Sequence, residues 1–245
     1  MVIPIRGQAS QRLWPVATLG LIVLNLLIFG FQLQLGEDAT LKLFWQGGAI
    51  PAKLSQVKIF SSWQSVKLVA TMFTSLFLHA GWIHLLGNML FLWVFGEALE
   101  DELGHWRFLG FYFFCGFFSL LLHAVVASRL SVPIIGASGA IAGLLGAYLI
   151  RYPQAPVQTL FYLLVRFTIV AIPAYVWLVL WLLLQLYGLR QGGPVAWFAH
   201  LGGFCTGLLG VGLFVPTGWQ PVAAKAKKGR PRPKKAAAPR VRSKR

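Results

Sequence analysis

The sequence predicts an all-α protein, a polytopic membrane bundle of six transmembrane helices. Three observations carry that prediction. Hydrophobic residues make up 57% of the chain and charged residues only 11%, too little charge to cover a soluble domain of this size. Apolar runs close to the ~20 residues that a spanning helix needs recur six times. The net charge of +16 is concentrated at one end. Eleven of the 22 Lys and Arg lie in 225–245, which leaves 11 basic and 6 acidic groups, net +5, for the rest.

The elements follow in order. Residues 1–12, with Arg6 and Arg12, read as a cytoplasmic N-terminus. The first span, about 13–33, has no small-residue cleavage site after it and reads as a retained anchor. Residues 34–77 form an extracytoplasmic loop in which Trp45, Phe60 and Trp63 mix with Lys42, Lys53, Lys58 and Lys67. That mixture suits the headgroup plane. Further spans are predicted at about 78–98, 106–128, 133–151, 170–188 and 194–216. The apolar stretch 160–169, with Arg166 and Pro173 close by, is expected to be a partly inserted connection.

Residues 217–245, rich in Pro and Ala and without apolar periodicity, are expected to be a disordered polybasic tail. An even span count puts both termini on one side, and the basic ends assign that side to the cytoplasm of a cell membrane, plasma or inner. The tail reads as a topology signal attracted to anionic lipid, in preference to a nucleic-acid contact. Cys115 and Cys205 sit in apolar runs and read as buried residues, without a disulfide or zinc framework.

Polar groups inside spans are the functional candidates. All six acids lie in the first loop (Glu37, Asp38) or near the inner end of span two (Glu97, Glu100, Asp101, Glu102). That placement argues against a two-carboxylate hydrolase, and no HExxH zinc motif is present. Ser138 remains, between Gly136 and Gly139, with several histidines and Asn88. His84 and Asn88 stand at i and i+4 and share a helix face. Glu97 lies thirteen residues after His84, Arg151 thirteen after Ser138, and Pro216 sixteen after His200. At 1.5 Å per residue all these groups sit roughly 20–24 Å from the inner boundary.

Three helices thus carry polar groups to one depth. Gly139, Gly143 and Gly146 form a small-residue stripe on span four, and Gly203 and Gly207 share a face with His200 on span six. Such stripes permit close helix approach in lipid. Ser138 would then meet His200, a base able to take its proton. The start of the helix at Ser138, with side-chain donors from His84 and Asn88, could face a developing oxyanion. No carboxylate is available to orient His200, so the constellation reads as a dyad.

The motifs HAGWIHLLGN (His79, His84, Asn88), GASG (136–139) and AHLGGFCTG (His200, Gly203, Gly207), in this order within six spans, resemble the rhomboid intramembrane serine proteases over about residues 1–216. The resemblance implies a catalytic Ser138–His200 dyad and an oxyanion site of the Ser138 amide with His84 and Asn88. It also implies a structural role for His79 beside them, no cofactor or metal, and transmembrane proteins as substrates. Two positions depart from the family pattern. Ala70 and Thr71 stand where many members carry Trp-Arg, and Ala142 stands where some place an aromatic residue against the base. The alternative is a non-catalytic rhomboid-like protein that binds or escorts membrane clients.

Overall fold

A computed structural model of the chain describes residues 2–7, 13–56, 62–163, 166–191 and 195–217. Arg12, Lys58, Phe60 and the basic tail lie outside the described residues. The molecule is a helical bundle with a small sheet at one end.

Helix α1 (Val16–Gln34) follows Pro15, and its first turn contains no acidic residue of its own. Glu100, 0% exposed, supplies the missing cap from elsewhere in the chain. Its two carboxylate oxygens accept from the backbone N–H groups of Ala17 and Thr18, each at 2.7 Å. Orphan donors at a helix start need such partners when buried, and a carboxylate also complements the positive end of the dipole. His105 bonds to the same carboxylate.

The segment after α1 folds into three short helices, α2 (Gly36–Gly47), α3 (Pro51–Leu54) and α4 (Trp63–Thr74), the last capped by Ser62. Trp45 and Trp63 are exposed, and the Lys67 ammonium sits 5.7 Å from the Trp63 ring centroid. At that distance the two form a cation–π contact. The turn between α2 and α3 also does structural work further along the chain. Ala49 and Ile134 exchange both backbone hydrogen bonds, at 3.0 and 2.7 Å, which pins the loop leading to Ser138.

Span two is α5 (Trp82–Phe91), a π-helical turn (Leu92–Gly96) and α6 (Glu97–Leu103). The helix thus runs past Glu97, predicted as its edge, and ends at Gly104, whose φ of 80° reverses the chain. Then come α7 (His105–Val126), α8 (Ser138–Arg151), α9 (Ala174–Gln191) and α10 (Trp197–Gly210), extended by a 3₁₀ turn to Leu213. Val16–Gln34, Trp82–Leu103 and His105–Val126 are long and apolar enough to cross a membrane. Ser138–Arg151 and Trp197–Leu213 are shorter apolar helices.

The connection at 160–169 differs from expectation. Strands β2 (Pro156–Leu163) and β3 (Arg166–Pro173) form an antiparallel hairpin, and β1 (Val2–Arg6) adds to β2 to give the order β1-β2-β3. Helix α9 consequently starts at Ala174, four residues after the predicted start of its run. An apolar run this short does not distinguish helix from strand by periodicity. The β-branched residues Val157, Thr159, Thr168, Ile169, Val170 and Ile172, bracketed by Pro156 and Pro173, favour the pleated form. Val157 pairs with Ile172, and both face the cluster of Val94, Phe95, Tyr148 and Trp177. The sheet therefore seals the bundle at the Arg151 end of α8.

Helix α8 is the centre of the bundle, with every residue from Gly139 to Tyr148 buried. A helix hidden on all sides must be apolar all round. The exception is Arg151, buried at its end and paired with Glu102. Cys115 is buried as expected; Cys205 is exposed, because it lies on the face of α10 opposite the glycines.

Candidate active site

Backbone-on-backbone packing of α8 and α10 creates the site. A Cβ on Gly203 would clash with the Gly139 carbonyl oxygen and lie 3.0 Å from its carbon. One on Gly207 would clash with the Gly143 carbonyl, and one on Gly146 with that of Phe204. These glycines are what let the two helices touch without side chains between them. Ser119 of α7 adds a hydrogen bond to the Ala199 carbonyl at 2.8 Å, fastening α10 one residue before His200.

At 14 residues α8 is about 21 Å long, shorter than a hydrocarbon core of about 30 Å. Arg151 stands at one end of α8 and Ser138 at the other. Ser138 Oγ and His200 Nε2 lie 2.8 Å apart there. Both side chains line a largely apolar cavity of about 930 Å³ with His84, Asn88 and Trp181.

The loop before Ser138 is held by backbone contacts that include the Ala49–Ile134 pair and Gly136 N–H to the Ser75 carbonyl at 2.8 Å. Gly136 has φ 114°, which a side chain would strain. It also leaves room. A Cβ there would stand 2.6 Å from His84 Nε2 and 3.6 Å from Asn88 Nδ2. Both side chains therefore converge on the backbone just ahead of Ser138.

Their donor states can be read from their partners. Ala80 N–H donates to His84 Nδ1 at 3.3 Å, so that nitrogen is the bare one and the ring proton is on Nε2, the atom facing Gly136. Asn88 is 8% exposed, and its Nδ2 has no acceptor among the described residues. Two N–H donors thus point at one space beside the first turn of α8, whose own leading N–H groups have no intrahelical acceptor.

His79 is buried under this arrangement. Its backbone exchanges two hydrogen bonds with the Gln32 side chain, at 2.8 and 3.2 Å, and its ring meets His84 edge-on at 5.0 Å. It packs against His84 and is not among the residues lining the cavity. His123 lies buried on α7.

Sequence reasoning missed the surroundings of His200. Ala142 offers no ring to it, but Trp181 and Trp197 flank the imidazole with centroids at 6.4 and 5.9 Å. Its Nδ1 is 2.9 Å from Gln185 Oε1 on α9. A lone glutamine in an apolar run belongs to no motif. Its signal was only its polarity within an apolar run.

Among known proteins, the chain is 39% identical over 140 residues to RHOMBOID-like protein 1 of Arabidopsis thaliana, covering 56% of this chain and 32% of that protein. It is 43% identical over 76 residues to YdcA of Bacillus subtilis (strain 168), 31% of this chain and 38% of YdcA. With Rhomboid-like protein 11, chloroplastic, of Arabidopsis thaliana it shares 41% over 71 residues, 29% of this chain and 25% of that protein. The matched stretches thus span between a quarter and two fifths of these relatives' lengths. The family model for the Rhomboid domain matches residues 67–216, the same stretch that carries Ser138, His200 and the glycine seam, and the chain belongs to the rhomboid family.

Proposed function

We propose that this protein is an intramembrane serine endopeptidase that hydrolyses peptide bonds in or near the transmembrane segments of other membrane proteins. The observation that carries this reading is the 2.8 Å contact of Ser138 Oγ with His200 Nε2, at the wall of a cavity that also receives the donors of His84 and Asn88.

The geometry suits acyl transfer. His200 Nε2 takes the hydroxyl proton as Ser138 Oγ attacks the substrate carbonyl carbon. The carbonyl oxygen becomes an oxyanion, which accepts from His84 Nε2–H, Asn88 Nδ2–H and the backbone N–H of Ser138. The imidazolium then protonates the departing amine, the C–N bond breaks, and an acyl ester on Ser138 remains. A water molecule attacks this ester, His200 takes its proton, and the acid product leaves with Ser138 restored. Water must therefore reach the site, and the cavity lined by Ser138 and His200 offers it a route.

The proposal includes six spans within 13–216, both termini on the cytoplasmic side of a cell membrane, and the catalytic mouth on the other. The basic tail then lies across the membrane from Ser138, near anionic headgroups. The test is to incubate the purified protein with a fluorogenic transmembrane peptide beside the Ser138→Ala variant. Cleavage by the wild type alone supports the reading, and equal activity in both proteins overturns it.

A further inference from the structure

The chemistry above uses only one nitrogen of His200. The other is engaged by Gln185, a buried side chain of α9, and the partners of Gln185 determine which way each proton points. The Gln185 amide nitrogen donates to the Trp181 backbone carbonyl at 3.1 Å. A carbonyl oxygen can only accept, so the NH₂ end of the amide must face Trp181 and its oxygen must face His200. The reverse rotamer would oppose two oxygens.

An amide oxygen can also only accept. The 2.9 Å contact with His200 Nδ1 is a hydrogen bond only when Nδ1 carries the proton. A neutral imidazole with its proton on Nδ1 has a bare lone pair on Nε2. That lone pair faces Ser138 Oγ at 2.8 Å, so the hydroxyl is the donor. Four groups in series, beginning at a main-chain carbonyl of α9, thus leave one proton arrangement of the neutral ring that satisfies every contact.

We propose that Gln185 is a positioning residue for this reaction: its side-chain oxygen holds His200 in the Nδ1–H tautomer and aims Nε2 at Ser138. This is the part that a carboxylate takes in Ser–His–Asp sites, carried here by a neutral amide. The proposal rests on His200 acting as the base. The choice of residue has a physical reason. A carboxylate beside His200 would be an ionised group within the membrane, with a large desolvation cost. The amide supplies the same acceptor geometry without a charge. Trp181, whose carbonyl anchors the amide, also lies against the imidazole, so one turn of α9 sets both the tautomer and the ring's surroundings.

The test uses the full-length purified protein with ¹⁵N-labelled histidine rings, the His200 signals being assigned by difference from His200→Ala. In the wild type at neutral pH, Nδ1 should show the protonated ring-nitrogen shift and Nε2 the bare one. In Gln185→Leu, the two shifts should move toward each other as both tautomers populate. Per active site, counted by fluorophosphonate labelling to completion, kcat should fall about ten- to a hundredfold through misorientation of the base, with KM within about twofold. Gln185→Glu restores an acceptor and should recover kcat per folded site to within a few-fold of wild type, its buried charge lowering the melting temperature instead. A wild-type His200 protonated on Nε2 overturns the proposal. So does a Gln185→Leu protein with unchanged shifts, whatever its rate or melting temperature. Failure of the base itself is separately visible, as cleavage that survives His200→Ala.

Discussion

Replacing Gly203 by alanine adds a single methyl group at the closest point between α8 and α10. That carbon would clash with the Gly139 carbonyl oxygen, stand 3.0 Å from the carbonyl carbon and lie 3.3 Å from Ala142 Cβ. Unstrained carbon contacts lie at about 3.5–4.0 Å, and both neighbours at the Gly139 end are backbone, so no rotamer change relieves the overlap. The helices must part by about 1 Å. Overpacking of this kind costs about 1–3 kcal/mol, and the same displacement carries His200, three residues away on α10, off Ser138. A misplacement of about 1 Å costs roughly a hundredfold in rate. Thermal unfolding and peptide cleavage measured on one detergent preparation should therefore both fall in Gly203→Ala. Gly30→Ala is the control, because nothing lies within 4 Å of a Cβ there, and its cleavage rate should match wild type. A Gly203→Ala protein with wild-type melting and turnover would refute the close packing on which the site depends.

Ser138→Ala and His200→Ala should each abolish cleavage while leaving the melting temperature near wild type, read by the same two assays. Asn88→Ala should lower kcat about a hundredfold with little change in KM, as for loss of one oxyanion donor. His84→Ala should behave alike, and the double variant should lose less than the product, since both donors serve one charge. A lower melting temperature with normal kcat in the folded fraction would instead make Asn88 a packing residue. Glu100→Ala strands the buried N–H groups of Ala17 and Thr18 and should destabilise the fold by roughly 2–4 kcal/mol, measured by denaturant titration. Removing 225–245 should leave cleavage in detergent unchanged, and its loss would contradict a tail remote from the site.

Much of this architecture was written in spacing. Ser138, His200 and His84 could be set at one depth because each lies a countable number of residues from a charged or proline boundary, and Asn88 shares the helix face of His84. Gly203 and Gly139 declared their contact because a bare helix face in lipid has little other purpose. What periodicity could not convey depends on partners distant in sequence. Glu100 looked like one of four acids at a helix end, and its task became visible only when α1 was seen to start on it. The apolar stretch 160–169 reads as a partly inserted connection because of Arg166 and Pro173, and a run this short does not reveal by periodicity that it is the core of a hairpin over 156–173. Gln185 stands alone in its apolar run, and an amide shows its direction only once both its neighbours are fixed.

The central claim is that His200 makes a nucleophile of Ser138, and fluorophosphonate labelling followed by peptide mass spectrometry tests it directly. The wild type should carry a single adduct on Ser138, and His200→Ala of matched melting temperature should label far more slowly. An adduct on another residue, or equal labelling rates in the two proteins, would contradict the account.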